Sequence, residues 1–316
     1  MSRTRKQTFR AVLVALLVLL LLGGARWVFL HTIYEPPVEA PAPQAAAPVP
    51  LPAPAPAPVV QEAVVESVTG RVERNMADGW ANVTVGDRLR ADDSLRTSRG
   101  AKTALRIGDN SRLTVTEGSQ LTIRELTEQV HRIKVRGNVF VDYKPDGKRV
   151  LRIENEENGA VAEAREARFS VLSTGTSLAI ATETGSVDLK SKDQVIHVAS
   201  GEEAFARAGE APRPSAPIPT GVLLKVANAA AAGASFCADV EGSAEAGSEV
   251  LVDGQPVELD EQGRFSVRVP RAAGKRIVQV ETRDASGRSK TSEVPCVADP
   301  ARIKDLAIRW KRSRSP

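Results

Sequence analysis

From about residue 62 to residue 300 the apolar residues of this chain recur at every second position in short runs. That period constrains the fold more than any other feature. Val68 and Val72 flank Gly70, and Leu113 with Val115, Leu121 with Ile123, Ile133 with Val135, Val139 with Val141, Leu178 with Ile180 and Val187 with Leu189 repeat the pattern. Successive side chains of a strand point to opposite faces of its sheet, so alternation of this kind marks half-buried β-structure. Gly and Asp bound the runs, as residues suited to turns do. The bulk of the chain is therefore expected to be all-β.

Two folded regions are expected within that stretch. In the first, about 62–208, a phrase recurs: Gly70-Arg71-Val72, Gly137-Asn138-Val139 and Gly185-Ser186-Val187 each place Gly at a turn just before an alternating strand. The spacing is irregular, so this is an echo and not a solenoid repeat, and stacked or rolled strands fit it. Residues 209–221, with Pro212, Pro214, Pro217 and Pro219, read as a linker. In the second region, 222–300, strands are expected at 235–240, 250–252, 257–259, 265–269, 277–282 and 291–297. Asp253-Gly254 is a strong hairpin turn, because both residues tolerate the positive φ that a tight turn needs.

The two cysteines, Cys237 and Cys296, fall on the first and last of those expected strands. In an exported protein such a pair most simply forms one disulfide, with two free buried thiols as the alternative.

The ends of the chain differ from its body. Residues 1–34 carry Arg3, Arg5, Lys6, Arg10 and Arg26 and no acid, and residues 301–316 carry six basic residues against Asp305. Each end is +5, so with a net charge of +4 the body, 35–300, is −6. An acidic body does not attract phosphates, which argues against nucleic acid as a partner.

Residues 11–25 are uncharged and rich in Leu, Val and Ala, and Trp27, Val28, Phe29 and Leu30 extend them past Arg26. As helix, residues 9–30 would rise about 33 Å, enough for a hydrocarbon core of about 30 Å. The expectation is a transmembrane helix over 11–30 behind a basic cytoplasmic N-terminus, 1–10, with the bulk in the periplasm of a bacterium. A cleaved signal peptide is the alternative. Residues 36–58, nearly all Pro, Ala and Val, suit a stiff polyproline tether reaching about 70 Å. The basic tail, 301–316, fits either a helix face or a strand.

Within 62–208 the residues Thr69-Gly70-Arg71-Val72, Trp80, Val85-Gly86-Asp87, Asp93-Ser94-Leu95-Arg96-Thr97, Gly100-Ala101, Ala104-Leu105-Arg106-Ile107 and Asp109-Asn110-Ser111, followed by Leu113, resemble the FecR periplasmic domain. Phe169-Ser170-Val171, Gly175-Thr176, Gly185-Ser186-Val187 and Ser200-Gly201-Glu202 resemble its later part. Asn110, where Gly is usual, and Thr174, where Arg is common, depart from the pattern. The resemblance implies a β-roll or solenoid-like module used in envelope sensing or scaffolding. The best known members regulate a sigma factor through a cytoplasmic domain, for which this chain offers about ten residues. The second region, through Val240-Glu241-Gly242, Gly247, 250–254 and 284–287, resembles bacterial immunoglobulin-like repeats, which implies a β-sandwich.

Chemistry-bearing constellations are sparse. His31, His131 and His197 have no second ligand at metal spacing, and no nucleophile or phosphate-cradling motif occurs. Glu154, Glu156 and Glu157 read as a solvated turn. Asp253, Asp260 and Glu261 lack the spacing of a calcium loop. No cofactor, metal or small-molecule substrate is expected, and no enzyme. The reading is a membrane-anchored envelope binding or scaffold protein whose partners are envelope proteins or peptidoglycan. An envelope signalling regulator acting through a partner protein is one alternative. A glycan-acting enzyme is the other, and the missing acid pair in an aromatic cleft opposes it.

Overall fold

The structure is a computed structural model that describes residues 18, 20–27, 62–76, 79–145, 147–155, 159–229 and 236–296. Residues 18 and 20–27 are helical. Among the described residues no helix is long and apolar enough to cross a membrane. The rest of the span expected over 11–30 lies outside the described residues, as do the proline-rich segment 36–58, the tail 301–316, His31, Glu156 and Glu157.

Sixteen strands build the first module: β1 (Ala63–Thr69), β2 (Val72–Met76), β3 (Gly79–Asn82), β4 (Arg88–Leu89), β5 (Ser94–Thr97), β6 (Lys102–Ile107), β7 (Ser111–Val115), β8 (Gln120–Leu126), β9 (Val130–Tyr143), β10 (Val150–Asn155), β11 (Val161–Ala164), β12 (Ala167–Ser173), β13 (Ser177–Ser191), β14 (Gln194–Ala199), β15 (Glu202–Arg207) and β16 (Ala216–Pro217). They form two sheets that share two strands. One sheet runs β4-β1-β6-β7-β9-β12-β13-β15-β16, and the other runs β3-β2-β5-β8-β9-β10-β11-β13-β14. We call them sheet A and sheet B.

The strands β9 and β13 belong to both sheets because each changes partners part-way. From Val130 to Arg136, β9 lies between β8 and β10, and from Gly137 onward it pairs β12. In β13 the same exchange falls at Gly185. Both glycines have positive φ, 92° and 79°, and a Cβ would sit 2.4 Å from Ser119 Oγ at Gly137 and 2.5 Å from the Glu166 carbonyl at Gly185. Only glycine makes that corner without strain. The recurring glycines thus mark the passage from one sheet to the other. Gly70 does so between β1 and β2, whereas Gly137 and Gly185 lie inside continuous strands and not in the turns the sequence suggested.

Among the described residues every strand pair is antiparallel except β9 with β10. Solenoid-like stacking, which pairs strands in parallel, is therefore not what the chain builds. The alternating residues fill the space between the sheets: Leu95, Leu105, Leu113, Leu121, Ile133, Val139, Leu151, Phe169, Ile180 and Leu189 are all at most 1% exposed. Burying a side chain of that size contributes about 1.5–3 kcal/mol.

Residues 209–221, expected to be a linker, run along the first module. Arg213 N donates to the Phe205 carbonyl at 2.9 Å, β16 pairs β15, and Ile218 N donates to Gly201 at 2.9 Å.

The second module holds β17 (Leu224–Ala229), β18 (Phe236–Ala244), β19 (Glu249–Val252), β20 (Gln255–Val257), β21 (Arg264–Pro270), β22 (Ile277–Arg283) and β23 (Ser289–Pro295). Three strands, β17-β18-β21, face four, β20-β19-β22-β23. The Asp253-Gly254 turn joins β19 to β20 with φ of 52° and 80°, as its residues require. The strand β17 precedes the first strand expected from sequence. Cys237 in β18 and Cys296, just past β23, are bonded to each other.

Candidate functional site

The strands β12 and β13 break the alternation that rules the rest of the first module. Phe169 and Val171, with Leu178 and Ile180, fill the inner core, yet Leu172, Ala179 and Ala181 on the opposite face of sheet A are also buried. What covers them is the second module. Ala285, at the tip of the β22–β23 hairpin, closes an apolar cluster with those three, and Phe205 and Ile218 pack at its margin.

The tip is shaped by Asp284. Its Oδ1 accepts from Arg288 N at 2.9 Å, its Oδ2 accepts from Arg288 Nε at 2.9 Å, and Gly287 N donates to its carbonyl at 3.0 Å. These bonds hold Gly287 against Phe140: a Cβ there would lie 2.3 Å from the ring. Small residues at the contact, Ala179 and Ala181 against Ala285 and Gly287 against Phe140, let two sheet-built modules approach this closely.

Polar clamps surround that contact. Arg283 Nη2 meets Glu117 Oε1 at 2.5 Å, Arg288 Nη1 donates to the Pro219 carbonyl at 2.6 Å, Arg213 Nη2 donates to the Glu261 carbonyl at 3.1 Å, and Arg207 donates to the Asp260 carbonyl. Hydrogen bonds to charged groups contribute about 1.5–3 kcal/mol each when shielded from water, and less at exposed rims.

Two cavities remain along the seam. The larger, about 610 Å³, is lined by Arg99, Arg136 and Arg283 against Glu117, Glu249 and Glu281, with the β19–β20 turn forming one wall. Burial pushes the Glu249 carboxyl up, Arg283 and Arg136 oppose the shift, and Glu281 reinforces it. The smaller, about 460 Å³, contains Glu203, Glu245 and Asp284 beside Phe205. Burial, followed by the charges of Glu245 and Asp284, pushes Glu203 up to about 7 against the pull of Arg288. Burial and Asp284 likewise raise Glu245. A carboxyl near 7 exchanges its proton around neutral pH, so the charge of this seam depends on the medium.

The residues considered from sequence as possible ligands or bases are spent on structure. His131 is buried, its Nδ1 stands 3.2 Å from the Tyr143 hydroxyl, and burial with the nearby Arg149 charge lowers its pKa to about 4. His197 Nδ1 lies 2.9 Å from Asp188 Oδ1, and Glu154 pairs Arg132 at 3.3 Å. Asp260 accepts from Gln262 N and Arg264 N at 2.9 and 2.8 Å, and Asp253 pairs Lys275. No group of His, Cys, Asp and Glu among the described residues could hold a metal ion.

The motif of the first module is also structural. Asp87 Oδ2 accepts from Thr84 N at 2.8 Å, Asp93 Oδ2 from Arg90 N at 2.7 Å and Ser111 Oγ from Lys144 N at 3.0 Å, while Arg96 stacks 4.1 Å over Trp80. Sequence reasoning missed Glu203, Glu245 and Glu249. Their only signal was carboxylates placed beside small residues and turns.

Comparison with known proteins gives two kinds of likeness. Two crystal structures of an anti-sigma-factor candidate from Parabacteroides distasonis ATCC 8503, at 2.50 and 1.65 Å, are 13% and 14% identical, and each aligns over 39% of this chain with a TM-score of 0.35. This chain spans 59% of the length of those structures. No curated protein matches it. Residues 93–188, from β5 through the Gly185 corner of β13, match the FecR protein family.

Proposed function

We propose that this chain is an extracytoplasmic regulator of envelope signalling that acts by binding a partner protein and catalyses no reaction. The observation that carries this reading is the FecR-family match at 93–188, which covers β12 and most of β13, the first module's face of the seam. The charged seam cavity, with arginines facing carboxylates, offers the partner a polar recognition surface in which paired charges set specificity more than affinity. The basic N-terminus and apolar segment support anchoring in the inner membrane, with both modules held outside by the proline-rich segment. On its order of three strands against four, the second module is read as immunoglobulin-like.

A photoreactive residue at Arg99, on the rim of the cavity, tests the reading in intact cells. The expected product is one protein adduct, identified by mass spectrometry and lost when Arg283→Glu reverses the charge of the seam. Capture of peptidoglycan alone would favour a scaffold role, and hydrolysis of purified peptidoglycan by the chain would overturn the non-catalytic reading.

A further inference from the structure

Edge strands invite pairing with another chain unless they are short, charged or interrupted by proline. Among the described residues nearly every edge of this protein is protected. β4 and β16 have two residues each, β20 three and β3 four; β17 carries Lys225, β21 carries Arg264, Arg268 and Pro270, and β23 carries Lys290 and Pro295. β14 is the exception. Its six residues, Gln194 to Ala199, include no Lys, Arg, Asp, Glu or Pro, and Val195 is 54% exposed.

The register shows which backbone groups are free. Ser191 pairs Gln194 across a two-residue turn whose residues, Lys192 and Asp193, have φ of 47° and 60°. In an antiparallel ladder alternate residues bond to one neighbour, so Val195, His197 and Ala199 direct their N–H and C=O groups away from β13. The outward N–H of Ala199 already donates to Glu202 Oε2 at 3.1 Å. Val195 and His197 present two donors and two acceptors in line, and nothing among the described residues meets them.

We infer that β14 pairs antiparallel with β14 of a second copy of this chain, about a two-fold axis at Ile196, so that sheet B runs on through both molecules. This register sets Val195 of each copy opposite His197 of the other and closes four backbone hydrogen bonds. Shifting it along the strand would bring in Ala199, whose donor is occupied. Ile196, only partly buried against the first core, comes opposite its own counterpart in the close, non-hydrogen-bonded position and completes its burial. The absence of charge removes the repulsion that would oppose two identical strands. A second copy also brings a strand already ordered in a sheet, whereas a free peptide would lose conformational entropy on docking. One strand pair is smaller than the ~800 Å² per partner of a stable complex, so the association is weak in dilute solution and strengthens where copies are concentrated. The inference stands independently of the regulatory reading.

The test uses the full chain at high protein concentration under mild oxidation. With Cys237 and Cys296 bonded to each other, Ile196→Cys adds the only thiol. On the axis, its Cα lies about 4.5 Å from its counterpart, within disulfide reach. Thiols at position 195 would be offset by two residues along the ladder, about 8 Å apart and beyond reach. The expected result is an interchain dimer from Ile196→Cys and none from the more exposed Val195→Cys. The dimer should be lost when Val195→Pro is added, which removes an outward N–H and spares the β13 ladder. Retention of the Cys237–Cys296 bond reports an intact second module, and an unchanged far-ultraviolet circular dichroism spectrum reports an intact β-fold. Absence of the Ile196→Cys dimer, equal crosslinking from Val195→Cys, or an adduct with a different protein would each overturn the proposal.

Discussion

The two β modules close their cores by different means. Among the described residues the first buries 34 apolar side chains, with Leu, Ile, Phe and Tyr at its centre, between sheets that share β9 and β13. The second buries 12, mostly Val and Ala, and holds its sheets with a disulfide. Small cores rarely supply enough burial alone, and a covalent staple offsets the shortfall by restricting the unfolded chain. The larger module gains its closure from glycine corners, the smaller from sulfur. The seam joins them through small residues and arginine clamps.

That contrast is most easily broken by truncating the larger core. Phe169→Ala should lower the stability of the first module by about 3–5 kcal/mol in urea unfolding. An equal loss in both modules would show that they unfold as one. Replacing Cys237 and Cys296 together by Ala should cost the second module about 2–4 kcal/mol and leave the first transition in place. No effect would mean that the small core suffices.

At the seam, Gly287→Ala forces a Cβ into Phe140 at positive φ and should cost about 1–3 kcal/mol, read as separation of the modules by limited proteolysis near 219–223. The smallest effect is electrostatic. Because the folded protein raises Glu203 above its ordinary value of 4.5 to about 7, the folded state binds the proton more tightly than the unfolded chain. Stability is therefore fullest near or below pH 4.5 as far as this group is concerned, and it falls as pH rises from there through about 7. Glu203 is half-buried, so the change should amount to about 1 kcal/mol after solvent screening. Glu203→Gln should flatten stability between pH 5 and pH 8, and an unchanged slope would assign it to other groups.

Much of the fold was legible because strands write their faces into the sequence. Leu113 with Val115 and Ile133 with Val135 were readable from period two alone. The corner glycines were visible as an echo, but a glycine that opens a turn and one that bends a strand look alike without knowing the partners on either side. β17 escaped because Leu224–Ala229 alternates only weakly before a run of Ala.

The seam was least legible. Leu172, Ala179 and Ala181 acquire meaning only when Ala285, more than 100 positions away, is set on them. Glu203 is likewise shifted by burial in the seam and then by Glu245 and Asp284 from another module, so nothing local to it announced a carboxyl near 7.

Across that seam the two modules work as one body. Spin labels at Arg124 on β8 and at Lys290 on β23, measured by pulsed electron resonance in the full chain, test this most directly. A single narrow distance at pH 5.5 that broadens when Gly287→Ala is introduced is the predicted result. A broad distribution in the unmodified chain, indifferent to that substitution, would contradict it.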